Sequence, residues 1–510
     1  MIRDSRIAND LTAAWPSLPY IGLGVWLAWA YLAYSGSMWL SDVETNGENL
    51  AGFYIVSTVS FALVMLVAPL KEAVVERMLG SDACMLGAGV AASLGCIMVV
   101  LAGPYYLAAS ALFYPGVCLT GASTALVGLQ CARLYAGLAP RKAILYTAFS
   151  HIVLACLYFI ATGSPQWQPI EGGPSLVGII ALVGLPVAAS ALVCLPARSD
   201  ARTARATACK KAVPPVFWKM VLAVFVFALV ENSVRANVVY EMSLDVTQDS
   251  NSVIMLVRIA MAAAFAFLAT VDRNIDFGRI YSFVMVAAVA FVAFVPVFGP
   301  LNVGWSMSVT AVSVVFEFVI WCILAFVAFQ KRVSFVLVFG FGYGSFMLGS
   351  ALGWLESIYV IPLIANPSWQ LATYLVLALA VLACVFVLFS ERDFDKLFMP
   401  ESDEESLSSL FGINPFHAAD AKKGSFGATV DLACEQFGLS PRERDVLRYL
   451  AMGYSADAVA ERLGVSWNTA RTHSRNIYAK MGVHSRQELI EAMDAMKCQA
   501  NRGLATGKDR

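Results

Sequence analysis

Apolar residues along this chain fall in separate runs of roughly twenty, the length an α-helix needs to cross a hydrocarbon core about 30 Å thick. About twelve runs meet that criterion, centred on residues 17–39, 50–70, 82–102, 105–127, 142–162, 175–195, 217–238, 252–271, 279–299, 304–329, 334–355 and 369–390. They lack the alternating polarity of a barrel strand and are about twice the length of a tilted one, so the spanning element is a helix. After the last run the chain turns polar: residues 391–428 carry an acidic patch, Glu401, Asp403, Glu404 and Glu405, with scattered Gly and Pro, and read as a linker. That stretch is too short, and too poor in alternating strand and helix patterns, to hold a phosphoacceptor receiver domain. Four short amphipathic helices follow. The pattern predicts an all-α chain: a polytopic transmembrane bundle over 1–392, a linker over 393–435, a small helical domain over 436–500 and a disordered tail over 501–510.

Composition agrees, since 510 residues that are 59% hydrophobic and 14% charged, with a mean hydropathy of +0.69, are too apolar for an ordinary soluble protein. Orientation follows from the cations. Arg3, Arg6, Lys71, Arg77, Arg133, Arg141, Lys142, the cluster from Arg198 to Lys219, Arg273, Arg279, Lys331 and Arg332 fall in alternate connections, while the intervening loops carry Asp42, Glu44, Glu48, Glu171, Glu241, Asp245 and Asp249. Positive charge accumulates on the cytoplasmic side, so both termini are expected on the cytoplasmic side of the cell membrane. The polar start MIRDSRIAND runs into a segment of full membrane length without a small-residue cleavage site, so the first span is expected to be retained. The 11 cysteines lie almost wholly in spans or on the cytoplasmic side, and their spacing suggests neither a disulfide nor a metal site.

Charged groups within spans are costly and mark functional positions. Glu231 and Arg235 are four apart on one face of span seven, and Arg258 sits in the outer half of span eight. Together they are expected to line an outward-facing cavity for a polar or anionic ligand. Glu317, near the middle of span ten, reads as the most isolated charge. The alternative is that these groups pair and lock helices together. Trp26, Trp29, Tyr31, Tyr34 and Trp39 on span one offer stacking surfaces, although interface belts and ordinary packing explain such residues equally well. Gly340, Gly342, Gly344, Gly349 and Gly353 in span eleven permit close helix approach, with packing as the first reading and a hinge as the second.

Residues 196–216 are a long basic interruption that leaves about six spans on each side. This 6+6 layout resembles the major facilitator superfamily of transporters over residues 15–392. The loops depart from the superfamily's acidic-Arg, Gly-rich signature: LKEAVVERMLG supplies Glu76 and Arg77, and ATVDRNIDFGR supplies Asp272 and Arg273, without the glycine spacing. These departures weigh against active transport.

The terminal segment has dense local signals. Ser440 as N-cap, Pro441 at the first helical position and Glu443 three residues after the cap form a capping box. Val446, Leu447 and Leu450 give that helix its inward face and Gly453 stops it. Ser455 opens a second helix ending near Leu463, and Gly464, Val465 and Ser466 make the turn into a third. On that third helix Ala470, Ile477 and Met481 share one face, while Asn468, Arg471, Thr472 and Arg475 share the other. Ser485 and Glu488 cap a fourth helix through Leu489, Ile490 and Met493. An apolar side that anchors the helix and a donor-rich side that projects outward suit a recognition helix in a major groove.

The segments LSPRERDVL, Ala451 to Gly453, LGVSxxT at 463–469 and HxxxIYxKMGVHSR at 473–486 resemble the LuxR/NarL-type DNA-binding domain. The resemblance implies a four-helix module whose third helix enters the groove and whose fourth dimerises on an inverted repeat. Carried over to these positions, it implies phosphate contacts from Thr469 and Lys480 and base or phosphate contacts from Arg471 and Arg475. Asn468 and Thr472 are further candidates for base edges. Trp467 and the Thr469-Ala470-Arg471 triplet depart from the commoner residues and bear on sequence preference. For each of these residues a structural role is the alternative, capping for Thr469 and a solvated charge for Lys480. His473 has no second ligand at metal spacing and reads as structural.

There is no GxxxxGK[ST] loop, HExxH helix or GxSxG elbow, and the 4 histidines leave little material for acid-base chemistry. The chain is expected to be no enzyme and to carry no cofactor or metal. It reads as a membrane-bound one-component transcription regulator whose bundle senses an unknown small molecule and whose terminal domain binds promoter DNA as a dimer. The competing readings are a transporter with a regulatory DNA-binding tail and a bundle that serves only as an anchor.

Overall fold

The structure is a computed structural model. It describes residues 5–34, 46–102, 111–163, 175–196, 213–241, 244–271, 286–287, 303–331, 333–364 and 367–384, and then 430, 433–451, 459–460, 463, 467–483, 488–489 and 492–493. The chain divides into two compact units, Met1–Pro400 and Glu401–Arg510.

In the first unit an amphipathic helix α1 (Arg6–Ala14) precedes the apolar helices α2 (Leu18–Tyr34) and α3 (Asn46–Val67). A 3₁₀ turn at Ala68–Lys71 containing Pro69 then breaks the helix before α4 (Glu72–Gly80). The series continues with α5 (Asp82–Ala102), α6 (Phe113–Ala136), α7 (Pro140–Gly163), α8 (Leu176–Val193), α9 (Pro215–Glu241), α10 (Leu244–Val271), α11 (Val303–Lys331), α12 (Phe335–Leu355) and α13 (Pro367–Ala383). Among the described residues nine helices are long and apolar enough to cross a membrane, and Leu18–Tyr34 is a shorter apolar helix. The expected span 279–299, except Val286 and Ala287, lies outside the described residues, as do Trp39, Arg273 and the basic cluster from Arg198 to Lys211.

Two spans differ from expectation. The run expected at 105–127 is a helix from Phe113 to Ala136. It continues past the polar Gln130 because that side chain is buried and its Nε2 donates to the Val193 carbonyl at 3.2 Å. Span eleven does not stop at Leu355; it runs into a π turn at Glu356–Val360 and a 3₁₀ turn at Ile361–Leu363.

Hydrocarbon offers no hydrogen bonds, so hydroxyls in the spans return to their own helix. Ser57 Oγ donates to the Phe53 carbonyl at 2.6 Å, Thr124 Oγ1 to Thr120 at 2.8 Å and Thr147 Oγ1 to Ala143 at 2.8 Å. Helix association relies instead on close fit. α5 and α6 meet glycine to glycine, where a Cβ on Gly95 would stand 2.6 Å from the Gly116 carbonyl. α9 and α12 meet where a Cβ on Gly349 would strike the Phe225 carbonyl and one on Gly353 the Leu229 carbonyl. The span-eleven glycines are packing surfaces, with Gly340 seated on the Met65 carbonyl and Pro69. The helices of the first and second halves meet along two seams, α3 with α12 and α7 with α10.

In the second unit α14 (Pro441–Ala451) and α15 (Trp467–Met481) are packed against each other. Val446, Leu447, Leu450, Ile477, Met481, Leu489 and Met493 share its core with Val430, Ala433 and Val459. Gly453, Ser455, Gly464, Val465, Ser466, Ser485 and Ile490 lie outside the described residues, as do the linker residues 393–429 and the tail 501–510.

Overpacking a membrane helix contact costs about 1–3 kcal/mol for a small side chain and more for a large one. Gly353→Ala should therefore lower the thermal midpoint of the detergent-solubilised protein, and Gly353→Leu should abolish its monodisperse peak in size-exclusion chromatography. A Gly353→Leu protein as stable as the parent would mean that α9 and α12 do not pack through this residue.

Candidate functional site

Charged groups of the bundle converge where the two halves meet. Arg258, on α10, is 5% exposed, and its Nη2 donates to Glu317 Oε2 on α11 at 3.0 Å. Its Nη1 lies 3.1 Å from His151 Nδ1 on α7, and because a guanidinium only donates, the imidazole nitrogen accepts. The guanidinium carbon stands 5.2 Å from the Tyr31 ring centroid, a cation–π contact with α2. One side chain thus joins four helices. Glu317, expected to be the most isolated charge, is instead ion-paired.

A cavity of about 100 Å³ opens beside this pair. Arg235, Arg258 and Glu317 line it, as do Trp26, Trp29, Tyr31 and Tyr34 of α2. Glu231 does not. It is buried behind the wall, where its Oε2 accepts from Asn232 Nδ2 at 2.6 Å. The residues expected on spans seven, eight and ten therefore come together, less Glu231.

The sequence reading missed the neutral polar lining. Asn232 receives a hydrogen bond from Tyr54 Oη at 3.1 Å and donates to Ser350 Oγ at 3.0 Å, linking α3, α9 and α12. Asn251 receives one from Tyr31 Oη at 2.9 Å, linking α2 and α10. Amides within apolar runs were the available signal, since each needs a partner once out of water. Away from these contacts, Ser334 Oγ before α12 donates to Glu72 Oε1 at the start of α4, and Arg141 Nη2 on α7 donates to the Thr270 carbonyl on α10 at 3.1 Å. The seam is bridged by polar contacts both beside the cavity and away from it.

In the second unit the capping box has formed. Ser440 N–H donates to Glu443 Oε2 at 2.8 Å, and Glu443 N–H donates to Ser440 Oγ at 3.3 Å. The same Glu443 oxygen accepts from Lys480 Nζ at 2.7 Å, and Lys480 also donates to the Gly438 carbonyl at 3.0 Å. The lysine ties the end of α15 to the start of α14; expected on a DNA phosphate, it is here engaged within its own unit. Gly438 (φ 60°) and Gly482 (φ 69°) adopt the left-handed backbone that glycine tolerates. Leu439 N–H returns to the Cys434 carbonyl at 3.0 Å and Val483 N–H to the Tyr478 carbonyl at 3.0 Å, so each glycine closes a helix with a Schellman turn.

α15 has two sides. Ile477 and Met481 are buried in the core, whereas Asn468, Thr469, Arg471, Thr472 and Arg475 are exposed. Thr472 Oγ1 donates to the Asn468 carbonyl at 2.8 Å. Trp467 begins the helix, and its side chain lies outside the described residues. His473 is half-buried, and no His, Cys, Asp or Glu cluster able to hold a metal occurs among the described residues.

Comparison with known proteins places each unit. Residues 438–493 match the profile of bacterial regulatory proteins, luxR family. The transcriptional activator protein BglJ of Escherichia coli (strain K12) is 43% identical over 60 residues, 12% of this chain and 27% of that protein. The fimbriae Z protein of Salmonella typhimurium is 51% identical over 53 residues, 10% of this chain and 25% of that protein. The chain thus spans about a quarter of the length of these two relatives. The crystal structure of the human organic anion transporter MFSD10 superposes with a TM-score of 0.51 at 14% identity, over 72% of this chain and 98% of that one. The chain is all-α, with a major-facilitator-like bundle of membrane-capable helices followed by a luxR-type helix-turn-helix domain.

The Lys480 ammonium, and then the Ser440 N–H, hold the Glu443 carboxyl down at about 2, against roughly 4.3 for an unperturbed glutamate. A depressed carboxylate contributes stability that is complete above the unfolded value and is lost as pH falls through the folded one. In a fragment spanning 401–510 the thermal midpoint should therefore fall between about pH 4.3 and pH 2, and Glu443→Gln should lower the neutral-pH midpoint and flatten that acid limb. An acid limb left unchanged by Glu443→Gln would show that the carboxylate does not couple to folding.

Proposed function

We propose that this chain is a membrane-bound one-component transcription regulator. Its bundle senses a small molecule in the cavity between the halves, and its luxR-type domain binds promoter DNA, as a dimer on an inverted repeat, from the cytoplasmic side of the cell membrane. The observation that carries the reading is the presence in one chain of a luxR-type domain with a polar, exposed face on α15 and a bundle with a polar cavity at the seam of its halves. The distribution of Lys and Arg supports cytoplasmic termini.

On this reading Asn468, Arg471, Thr472 and Arg475 supply base and backbone contacts, with Trp467 beside them at the start of the helix, and Thr469 contacts phosphate. Lys480 reaches phosphate only by giving up part of its hold on Glu443. In the bundle Arg235, Arg258 and Glu317 contact ligand directly and Glu231 supports them from behind. The ligand acts because it prefers one arrangement of the halves, a preference worth about 1 to 3 kcal/mol in typical coupled systems.

Arg471→Ala should reduce affinity for the specific operator by about 1 to 3 kcal/mol with membrane insertion unchanged, and an unaltered footprint would remove Arg471 from the readout. Replacing residues 1–392 by an unrelated membrane anchor should leave DNA binding intact and abolish the transcriptional response to small molecules. A chimera that still responds would overturn sensing by the bundle. Solute accumulation in proteoliposomes by a chain lacking residues 393–510 would favour transport.

A further inference from the structure

We infer that the cavity takes a one-ring aromatic carboxylate with Arg235 as its counter-ion, an inference that rests on the cavity being the sensory site. Charge gives the sign. Three charged side chains line the cavity, Arg235, Arg258 and Glu317. Arg258 and Glu317 neutralise each other at 3.0 Å, and the remaining Arg258 contacts go to His151 and Tyr31. Arg235 is left over: it lines the cavity, half-buried, and makes no hydrogen bond or ion pair with any described residue. Its closest carboxylate in sequence, Glu231 one turn back on α9, interacts with it electrostatically but makes no ion pair or hydrogen bond with it and is held by Asn232. A partly buried guanidinium with no carboxylate in direct contact leaves its donors unused, and a ligand carboxylate satisfies them through two parallel N–H donors.

The walls give the shape. Trp26, Tyr54 and Tyr343 present rings to the cavity, and ring faces favour either a planar apolar group or a cation. The Arg235 guanidinium, with no carboxylate in direct contact, repels a cation in so small a space, so the planar group remains. The Trp26 indole is 2% exposed, and its Nε1–H has no partner among the described residues. Buried donors are nearly always satisfied, and a ligand acceptor in the cavity that Trp26 lines would satisfy this one.

Volume gives the size. A cavity of about 100 Å³ is somewhat smaller than the roughly 150 Å³ apolar cavity known to accept benzene. One ring with a small substituent fits after modest side-chain movement, and two fused rings do not.

The test uses the full-length protein in detergent at constant ionic strength. Benzoate, its neutral isostere benzamide and the cation benzylamine are each titrated against thermal midpoint and tryptophan fluorescence. Benzoate should raise the midpoint and alter fluorescence saturably, benzamide should bind at least about tenfold more weakly, benzylamine should not bind, and 2-naphthoate should be weaker than benzoate. Arg235→Gln should remove the preference for benzoate over benzamide, and Trp26→Phe should weaken benzoate while keeping the ring. Benzamide or benzylamine binding as tightly as benzoate would overturn the anion assignment and leave the sensory reading standing. Failure of all three rings to bind the parent protein would overturn the aromatic carboxylate, while the anchor chimera alone decides the sensory reading. If Arg235→Gln does not fold, the benzoate and benzamide comparison on the parent still decides the matter.

Discussion

A charge inside a membrane protein has to be neutralised where it stands, and in this bundle one buried arginine carries that constraint. Arg258 satisfies itself with Glu317 and His151 and lies over Tyr31, so its desolvation is offset by partners on three other helices. Removing one member of a buried pair typically costs about 3–5 kcal/mol because the survivor stays uncompensated. Neither the seam nor the cavity is independent of this hub, because Tyr31 and His151 belong to the first half while Arg258 and Glu317 belong to the second.

The remaining polar contacts extend that seam. Tyr31 to Asn251 and Tyr54 to Asn232 cross between halves beside the cavity, and Arg141 to the Thr270 carbonyl crosses away from it. Bonds of this kind have discrete made and broken states, whereas glycine-tight contacts such as α9 on α12 have a single close fit. The seam between the halves uses both kinds of contact, because Gly340 of α12 also sits against the Met65 carbonyl of α3. A ligand among those bonds shifts the balance only to the extent that it makes different contacts in the two arrangements.

The sequence revealed periodic and local features well and pairwise features poorly. Apolar runs located eleven helices, because spanning length is a property of consecutive residues, and the capping box at Ser440 and Glu443 was legible because it spans three positions. The ion pair of Arg258 with Glu317 links residues 59 apart in sequence, and no local pattern distinguishes a paired intramembrane charge from an isolated one. Glu231 and Arg235 were placed together because they share a helix face, yet exposure to the cavity differs within that face. Only the neighbouring helices, with Asn232 turned inward, decide which of the two reaches the space.

Lys480 illustrates the same limit in the terminal domain. The LuxR/NarL resemblance implied a phosphate contact for it, and the partner it holds in the structure, Glu443, lies 37 residues away at a helix start. That carboxylate already accepts the Ser440 N–H at an N-terminus, where backbone donors and the helix dipole favour negative charge. A cation arriving from the end of α15 meets an anion that is fixed in direction, so little side-chain freedom remains to be lost on the glutamate side. The clamp therefore adds a polar tie to the shared core of α14 and α15, the latter being the helix that carries Asn468, Arg471, Thr472 and Arg475. On the proposed reading, recognition by that face rests on a contact that itself need never touch nucleic acid.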